Sequence, residues 1–269
     1  MVQGLKPFVI SKVRKGSLLW YVFAFPKRLR DRRVKFLRSC FDYYLIKKSN
    51  ERRLKGKKLK KGCITTIITS AGRREYLEPT IESLRKNFIY DRDKVLWYII
   101  DDYPDSTGTR QYIGGLAGFD LKILNARNKG LGYCLNQIYA EVNTEFVFHC
   151  EDDWLFLRPI PVEHMMRVLQ ENPHLRQLLL FRVPIGRDYR GEVKITSKGY
   201  AEYYHRFSFN PHLAKTELFI EHQPFPLYYT ELEYTIKLER SGQTVSGILG
   251  YGEEPYVKHL GVNRKTKLV

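Results

Sequence analysis

Three consecutive carboxylates, Glu151-Asp152-Asp153, stand directly behind the apolar run Phe146-Val147-Phe148 and His149-Cys150. Such a run reads as a buried strand, so the acids emerge at a strand's C-terminal end, where open α/β sheets bind their ligands. Adjacent carboxylates repel, and a fold keeps them charged only with a compensating cation. Hard oxygen ligands of this kind suit Mg²⁺ or Mn²⁺, ions that bridge to substrate phosphates. A solvated acidic turn is the plainer alternative for three acids alone. The flanking strand and the residues upstream favour the metal reading.

The elements that must hold these acids are legible on both sides. Cys63 to Thr69 is a β-branched run and predicts a buried strand. The loop Ser70-Ala71-Gly72-Arg73 follows, then a helix from Glu75 to Asn87. Val95 to Ile100 predicts a second strand that ends on Asp101-Asp102, and Leu121 to Asn125 a third. A short helix fits Thr109–Ile113, a longer one Leu131 to Val142, and Glu145 to Cys150 is the acid-bearing strand. Strands alternating with helices imply an α/β fold with a mostly parallel central sheet and right-handed crossovers. Beyond Trp154 the pattern loosens. A helix is expected at Val162–Glu171, a strand at Gln177–Val183, and a last helix at Tyr229–Arg240 that stops at Ser241-Gly242. His149 is expected to face the core. The aromatics Tyr203, Tyr204, Phe207, Phe209, Tyr228 and Tyr229 suit core packing, or stacking on a ligand.

The chain has 269 residues and a formal net charge of +17. Residues 1–61 hold 20 Lys and Arg against 3 Asp and Glu, while residues 62–269 hold 26 of each. A neutral body, 62–269, therefore carries a basic N-terminal arm, 1–61. Apolar residues Val34, Leu37, Phe41, Tyr44 and Leu45 recur in the arm at near-helical spacing. A basic amphipathic helix of this kind fits an anionic membrane surface, a face packed on the body, or nucleic acid. The longest apolar run, Leu18 to Pro26, is too short to span a bilayer, and no signal-peptide cleavage pattern follows it. Cys40, Cys63, Cys134 and Cys150 show no CxxC pairing and are expected to be reduced thiols of an intracellular protein. The expected location is cytoplasmic, peripheral to a membrane if the arm binds lipid.

Four segments carry a resemblance. Thr65-Thr66-Ile67-Ile68-Thr69-Ser70, continuing through Arg74-Glu75-Tyr76-Leu77 to Ile81-Glu82-Ser83-Leu84, resembles the opening of family-2 glycosyltransferases with the GT-A fold. Ile99-Ile100-Asp101-Asp102 looks like their second nucleotide-binding element. Asn128-Lys129-Gly130-Leu131-Gly132 through Leu135-Asn136 looks like their Asn/Gly loop and helix, and Glu151-Asp152-Asp153 falls at their DxD motif. The resemblance implies a single GT-A-type domain, a nucleotide-binding half followed by an acceptor-binding half. The implied donor is a nucleotide sugar and the acceptor a glycan or lipid-linked hydroxyl. It implies that Thr69, Ser70 and Arg73 meet the base, that Asp102 accepts a hydrogen bond from the base ring, and that Gly130 belongs to the donor loop. Of the acids, Glu151 would meet the ribose, with Asp152 beside it, and Asp153 would hold Mn²⁺ or Mg²⁺. The family has Asp where this chain has Glu151. Thr230-Glu231-Leu232-Glu233, before Ile236 to Gly242, is similar to the family's base-bearing helix start. It makes Glu231 the catalytic base of an inverting transfer, with Glu233 the weaker alternative. His259 matches a late metal- or diphosphate-binding His, and Arg264 and Lys265 could reach the diphosphate.

Two other readings stay open. A nucleotidyltransferase would need a Gly-rich basic loop after the first strand, of which Ser70 to Arg74 is a weak version. A non-catalytic nucleic-acid binder driven by the arm would leave the neutral body without a role.

Overall fold

The computed structural model describes residues 27–104, 107–183, 192–204 and 207–261, with side chains from Phe41 onward. The apolar run Leu18 to Phe25 and the tail residues Arg264 and Lys265 lie outside them. The chain divides into two compact units, Met1–Ser49 and Asn50–Val269. A single helix, α1 (Lys27–Leu54), begins in the first and ends in the second. It extends past both ends of the apolar stripe read from the sequence. Its residues Phe41, Tyr44 and Leu45 are 60%, 54% and 49% exposed.

The second unit is built on a nine-stranded sheet. Its first half is β1 (Lys60–Ser70), α2 (Arg74–Asn87), β2 (Val95–Asp101), α3 (Thr107–Gly115), β3 (Leu121–Leu124), α4 (Leu131–Tyr139) and β4 (Thr144–Glu151). The strands β3, β2, β1 and β4 lie side by side in that order, all parallel. The chain therefore winds outward from β1 in one direction and then returns to β1's other side. This switch point opens a crevice at the strands' C-terminal ends.

Alternation along the strands fills both faces. Ile64, Ile68, Phe146 and Phe148 join one core with Leu77, Ile81 and Leu84 of α2. Ile67 and Val147 join the other with Leu135 and Ile138 of α4. Each such side chain contributes roughly 1.5–3 kcal/mol by leaving water.

The region after Asp153, where the sequence pattern loosened, resolves into short pieces. They are β5 (Trp154–Phe156), α5 (Val162–Glu171), β6 (Leu175–Leu180), β7 (Glu192–Ile195), β8 (Tyr200–Tyr204), β9 (His212–Lys215), α6 (Thr216–Glu221), α7 (Thr230–Arg240), β10 (Val245–Leu249) and β11 (Val257–His259). The sheet continues past β4 as β9, β6, β10, β8 and β7. β9 runs antiparallel to both β4 and β6. β6 and β10 are parallel, and β8 and β7 are antiparallel additions. Strand β6 starts at Leu175 and stops at Leu180, short of the expected Val183. Tyr203, Phe207 and Phe209 are core residues, whereas Tyr204, Tyr228 and Tyr229 are exposed.

Two residues of α4 join the halves. Asn136 donates through Nδ2 to Phe225 O at 2.8 Å and accepts from Phe225 N at 2.8 Å. A Cβ on Gly132 would lie 2.0 Å from Pro226 O and 2.9 Å from Leu227 Cα. Both contacts fix the segment that leads into α7. Gly132→Ala should therefore force that segment away and destabilise the protein by about 1–3 kcal/mol, as overpacking does. Denaturant unfolding followed by circular dichroism measures it, and wild-type stability in the variant would contradict the close approach.

Candidate active site

Strand pairing sets the site's geometry. Ser70 lies opposite Asp101, and Thr69 opposite Glu151. The ends of β1, β2 and β4 thus bring a hydroxyl pair and two acid pairs to one rim. Between them opens a cavity of 180 Å³, lined by Thr69, Ser70, Arg73, Asp102, Asn128, Gly130, Leu131, Glu151 and Asp152, with Cys134 at its wall.

Two buried carboxylates hold the loop after β1. Asp101 accepts from Ser70 Oγ at 2.8 Å and Gly72 N at 2.9 Å. Asp152 accepts from Ala71 N at 2.9 Å and from the Arg73 guanidinium. Gly72 has φ +76°, and a Cβ there would sit 2.6 Å from the Tyr103 side chain, so only glycine fits. The loop is preorganised before any ligand arrives.

Asp102 organises the opposite wall. Its Oδ2 accepts from Lys129 N at 2.9 Å and Gly130 N at 2.6 Å, and its Oδ1 from Asn125 Nδ2 at 2.9 Å. In this arrangement Asp102 shapes the loop that borders the cavity as well as lining it. Gly130, at φ +89°, is the N-cap of α4. The helix therefore begins at the cavity edge, where its free N–H groups favour an anion.

The three acids have three different environments. Asp152 is 1% exposed, and burial raises its carboxyl against the pull of Arg73. Burial also pushes Asp153 up, but His259 and Arg73 outweigh it and hold Asp153 below the usual carboxylate range. Glu151 is pushed up to about 8 by burial, by Asp153 and Asp152, and by Glu231, with Arg73 opposing. The sequence points to Mg²⁺ or Mn²⁺ as the compensating cation; in the structure Arg73, read from the sequence only as a loop residue near the base, compensates two of the acids. Its Nη2 meets Asp152, and its Nη1 lies 2.9 Å from Asp153 Oδ2.

His259 reaches the acids through a small ribbon. β11 pairs antiparallel with β5, His259 opposite Trp154. The His259 ring lies 4.6 Å from that of Trp154, and its Nε2 is 3.3 Å from Asp153 Oδ1. Leu260 N donates to Asp153 O at 2.8 Å.

A divalent cation fits this corner. Asp153 Oδ1 is buried and accepts no well-aligned hydrogen bond, and the imidazole converges on it. Among the described residues no group of three His, Cys, Asp or Glu gathers to hold a metal. Two protein ligands suit Mg²⁺ or Mn²⁺ bound largely through substrate phosphates and water.

Glu231 lies in the exposed first turn of α7, and its charge reaches Glu151. Glu233 is also exposed, with its backbone N bonded to Tyr229 O at 2.9 Å. Tyr229 caps the helix with φ 45°, a left-handed conformation rare for a bulky residue. His149 is fully buried, its Nε2 3.3 Å from Thr69 Oγ1 beneath the cavity.

Residues not singled out from the sequence hold the acid turn. Thr80 Oγ1 donates to Asp152 O at 2.9 Å and accepts from Trp154 N at 3.1 Å. Ser83 Oγ accepts from Phe156 N at 3.1 Å, and Asn87 Nδ2 donates to Phe156 O at 3.0 Å. Thr80, Ser83 and Asn87 follow i, i+3, i+7 spacing, so they share one face of α2. Polar residues on the inner face of an amphipathic helix were the available signal.

An open α/β sheet with a rigid-walled cavity at its switch point, acids at one side and a helix N-terminus at the other defines a nucleotide-binding class of fold. The sequence model of glycosyl transferase family 2 matches residues 65–233, and the chain belongs to that family. Its fold is that of GT-A glycosyltransferases. A solved structure titled GalNAc-T7 with UDP, GalNAc and Mn²⁺ superposes with a TM-score of 0.56 at 11% identity, over 73% of this chain and 44% of that one. TarS 1-349 of S. aureus in complex with UDP-GlcNAc gives 0.55 at 16% identity, over 73% and 58%. The chain thus spans about half the length of the structures it matches. No curated protein matches it.

Removing Asp102 tests the loop architecture. Asp102→Ala leaves Lys129 N, Gly130 N and the Asn125 amide without their acceptor, at roughly 1–3 kcal/mol for each group left buried. Urea unfolding should show a loss within that range or above it, with weaker nucleotide binding by calorimetry. Unchanged unfolding and binding would mean that the three bonds do not hold the loop.

Proposed function

We propose that the protein transfers a sugar from a nucleotide-diphosphate donor to an acceptor hydroxyl, with inversion and with the help of a divalent cation. The observation that carries this reading is the cavity at the sheet's switch point, lined by Arg73, Asp102, Gly130, Glu151 and Asp152. Glu231, in the first turn of α7, is near enough for its charge to be among the causes that raise Glu151. Both compared structures hold uridine nucleotides, which supports a UDP-sugar donor. The Mn²⁺ in one of them supports an ion at Asp153 and His259.

Donor binding follows from the cavity walls. Thr69, Ser70 and Arg73 on one side and Gly130 on the other border the space for base and ribose. Glu151 faces the same space in its protonated form near neutral pH, which suits it to donate a hydrogen bond as well as accept one. The diphosphate lies toward Arg73 and Asp153. The ion, when bound, neutralises the charge that grows on the leaving diphosphate. Glu231 accepts the proton of the acceptor hydroxyl as that oxygen attacks the anomeric carbon from the face opposite the diphosphate. One displacement inverts the configuration. The acceptor side is bounded by Tyr228 and Tyr229, and a glycan or lipid-linked sugar suits such exposed rings.

Glu231→Gln keeps shape and removes basicity. Transfer should fall roughly a hundredfold or more with donor affinity unchanged. Steady-state kinetics with calorimetry measures both, and wild-type turnover would move the base to another acid. Asp153→Ala should remove the Mn²⁺ dependence of UDP binding. Equal UDP affinity of the unaltered protein in EDTA and in Mn²⁺ would sink the metal assignment.

We also propose that the basic segment holds the enzyme at an anionic membrane near its acceptor. Phe41, Tyr44 and Leu45 are exposed on one stretch of α1, with Lys47, Lys48, Arg52 and Arg53 beside them. Among the described residues no helix is long and apolar enough to cross a membrane. The segment's binding should therefore be interfacial and weakened by salt. Full-length protein should co-sediment with anionic vesicles at low salt, and a chain starting at Gly62 should not. Equal sedimentation of the two, or binding of RNA without vesicles, would refute this role.

A further inference from the structure

The cation that neutralises the acids is also the residue best placed to meet the donor's diphosphate. We propose that in the nucleotide-free protein Arg73 holds Asp153 on the oxygen next to the metal's corner, and that the donor diphosphate draws it off Asp153, so that metal and nucleotide bind as a coupled pair. The inference rests on the metal-dependent reading above and adds the order in which its parts assemble.

Three observations carry it. First, the two contacts of Arg73 are unequal. Asp152 is almost fully buried, accepts from Ala71 N at 2.9 Å, and is bonded through its carbonyl to Thr80 at 2.9 Å. It is a fixed anchor. Asp153 offers Arg73 a single contact, Nη1 to Oδ2 at 2.9 Å, while its other oxygen faces His259. The guanidinium can release Asp153 while Nη2 and Nε stay on Asp152.

Second, the metal and the guanidinium cannot share Asp153 without a counter-charge. A dication on that carboxylate would stand within a few ångströms of Nη1, and like charges so close in a half-buried site repel strongly. A diphosphate removes the conflict. Its oxygens give the metal its remaining ligands and give the guanidinium a two-pronged acceptor.

Third, Arg73 faces the ligand. Its side chain is 29% exposed and borders the donor cavity, and its guanidinium lies 5.7 Å over the Tyr76 ring, which supports it from behind. It also directly precedes α2, whose N-terminal dipole adds positive potential at the same corner.

Coupling of this kind is reciprocal: UDP must raise the affinity for metal by the factor by which metal raises the affinity for UDP. The test titrates Mn²⁺ into the full-length protein with and without UDP, following free Mn²⁺ by electron paramagnetic resonance. UDP should tighten Mn²⁺ binding to the wild type by at least about tenfold. In Arg73→Ala, Mn²⁺ alone should bind at least about tenfold tighter than to the wild type, and the effect of UDP should largely vanish. Arg73→Lys keeps the charge and loses the fork, so its coupling should fall below that of the wild type even if Arg73→Ala does not fold. Arg74→Ala removes a neighbouring cation paired instead to Glu78, and should behave as wild type. Equal Mn²⁺ affinity of the wild type with and without UDP would overturn the proposal, as would unchanged coupling in the Arg73 variants. Absence of Mn²⁺ binding even with UDP would overturn the metal-dependent reading, and the coupling with it.

Discussion

Burying three neighbouring carboxylates at the end of one strand is the constraint from which the rest of this site follows. The pairing of β4 against β1 brings Glu151, Asp152 and Asp153 to one rim, with Asp152 and Asp153 buried and Glu151 half-buried on the cavity. Isolated buried carboxylates are too costly to remain charged. The fold resolves this by giving each acid a different fate. Asp152 is fixed by a guanidinium and a backbone N–H, Asp153 is held charged by His259 and Arg73, and Glu151 is left with a carboxyl that favours its proton. One residue, Arg73, serves two of the three. The loop that carries Arg73 is in turn fixed by Asp101 from the neighbouring strand, so the electrostatics and the backbone geometry depend on each other.

The same logic extends to the donor's far wall and to the base. Asp102 spends its acceptor capacity on Asn125, Lys129 and Gly130, and thereby sets where the Asn/Gly loop meets the cavity. From that loop α4 departs, and its buried face grips the segment before α7 through Asn136 and the absent side chain of Gly132. One short helix of nine residues thus links the cavity wall to the segment that leads into α7, where the proposed base Glu231 stands. Catalysis by positioning requires such rigidity, because small misplacements of the reacting groups are expensive in rate.

Much of the first half was legible because its signals are local. β-branched runs, acids at strand ends and glycines at loop turns each report on a few consecutive residues. The helix Val162–Glu171 was read to both ends, and the parallel order from β1 to β4 follows from alternation of strands and helices. The second half was not legible for an equally physical reason. β5, β7, β9 and β11 are three or four residues long and owe their existence to partners far away in sequence, as His212 does to His149. The acids themselves could be found, but their compensation could not. Arg73 reads as one basic residue among many until the fold brings it to Asp152 and Asp153. Thr80, Ser83 and Asn87 were equally quiet, since each is unremarkable alone and acts only through the face they share.

The corner where His259 meets Asp153 also explains why the first half of the second unit cannot be a separate module. Asp153 follows directly on β4, whereas His259 arrives about a hundred residues later on β11. The ribbon that brings it, β5 with β11, is only three residues long on each strand and stands outside the main sheet. So small a ribbon is not stable by itself. It is held by Trp154, buried against α2 and packed against the His259 ring, and by Leu260 on the Asp153 carbonyl. The close fit of Gly261, whose Cβ would lie 2.6 Å from Asp153 Oδ2, leaves no room for a side chain at the end of that strand. The acid turn therefore helps to dock the ribbon that carries His259. The rim of the cavity and β11 are held by the same contacts, so the two halves of this unit depend on each other in their packing.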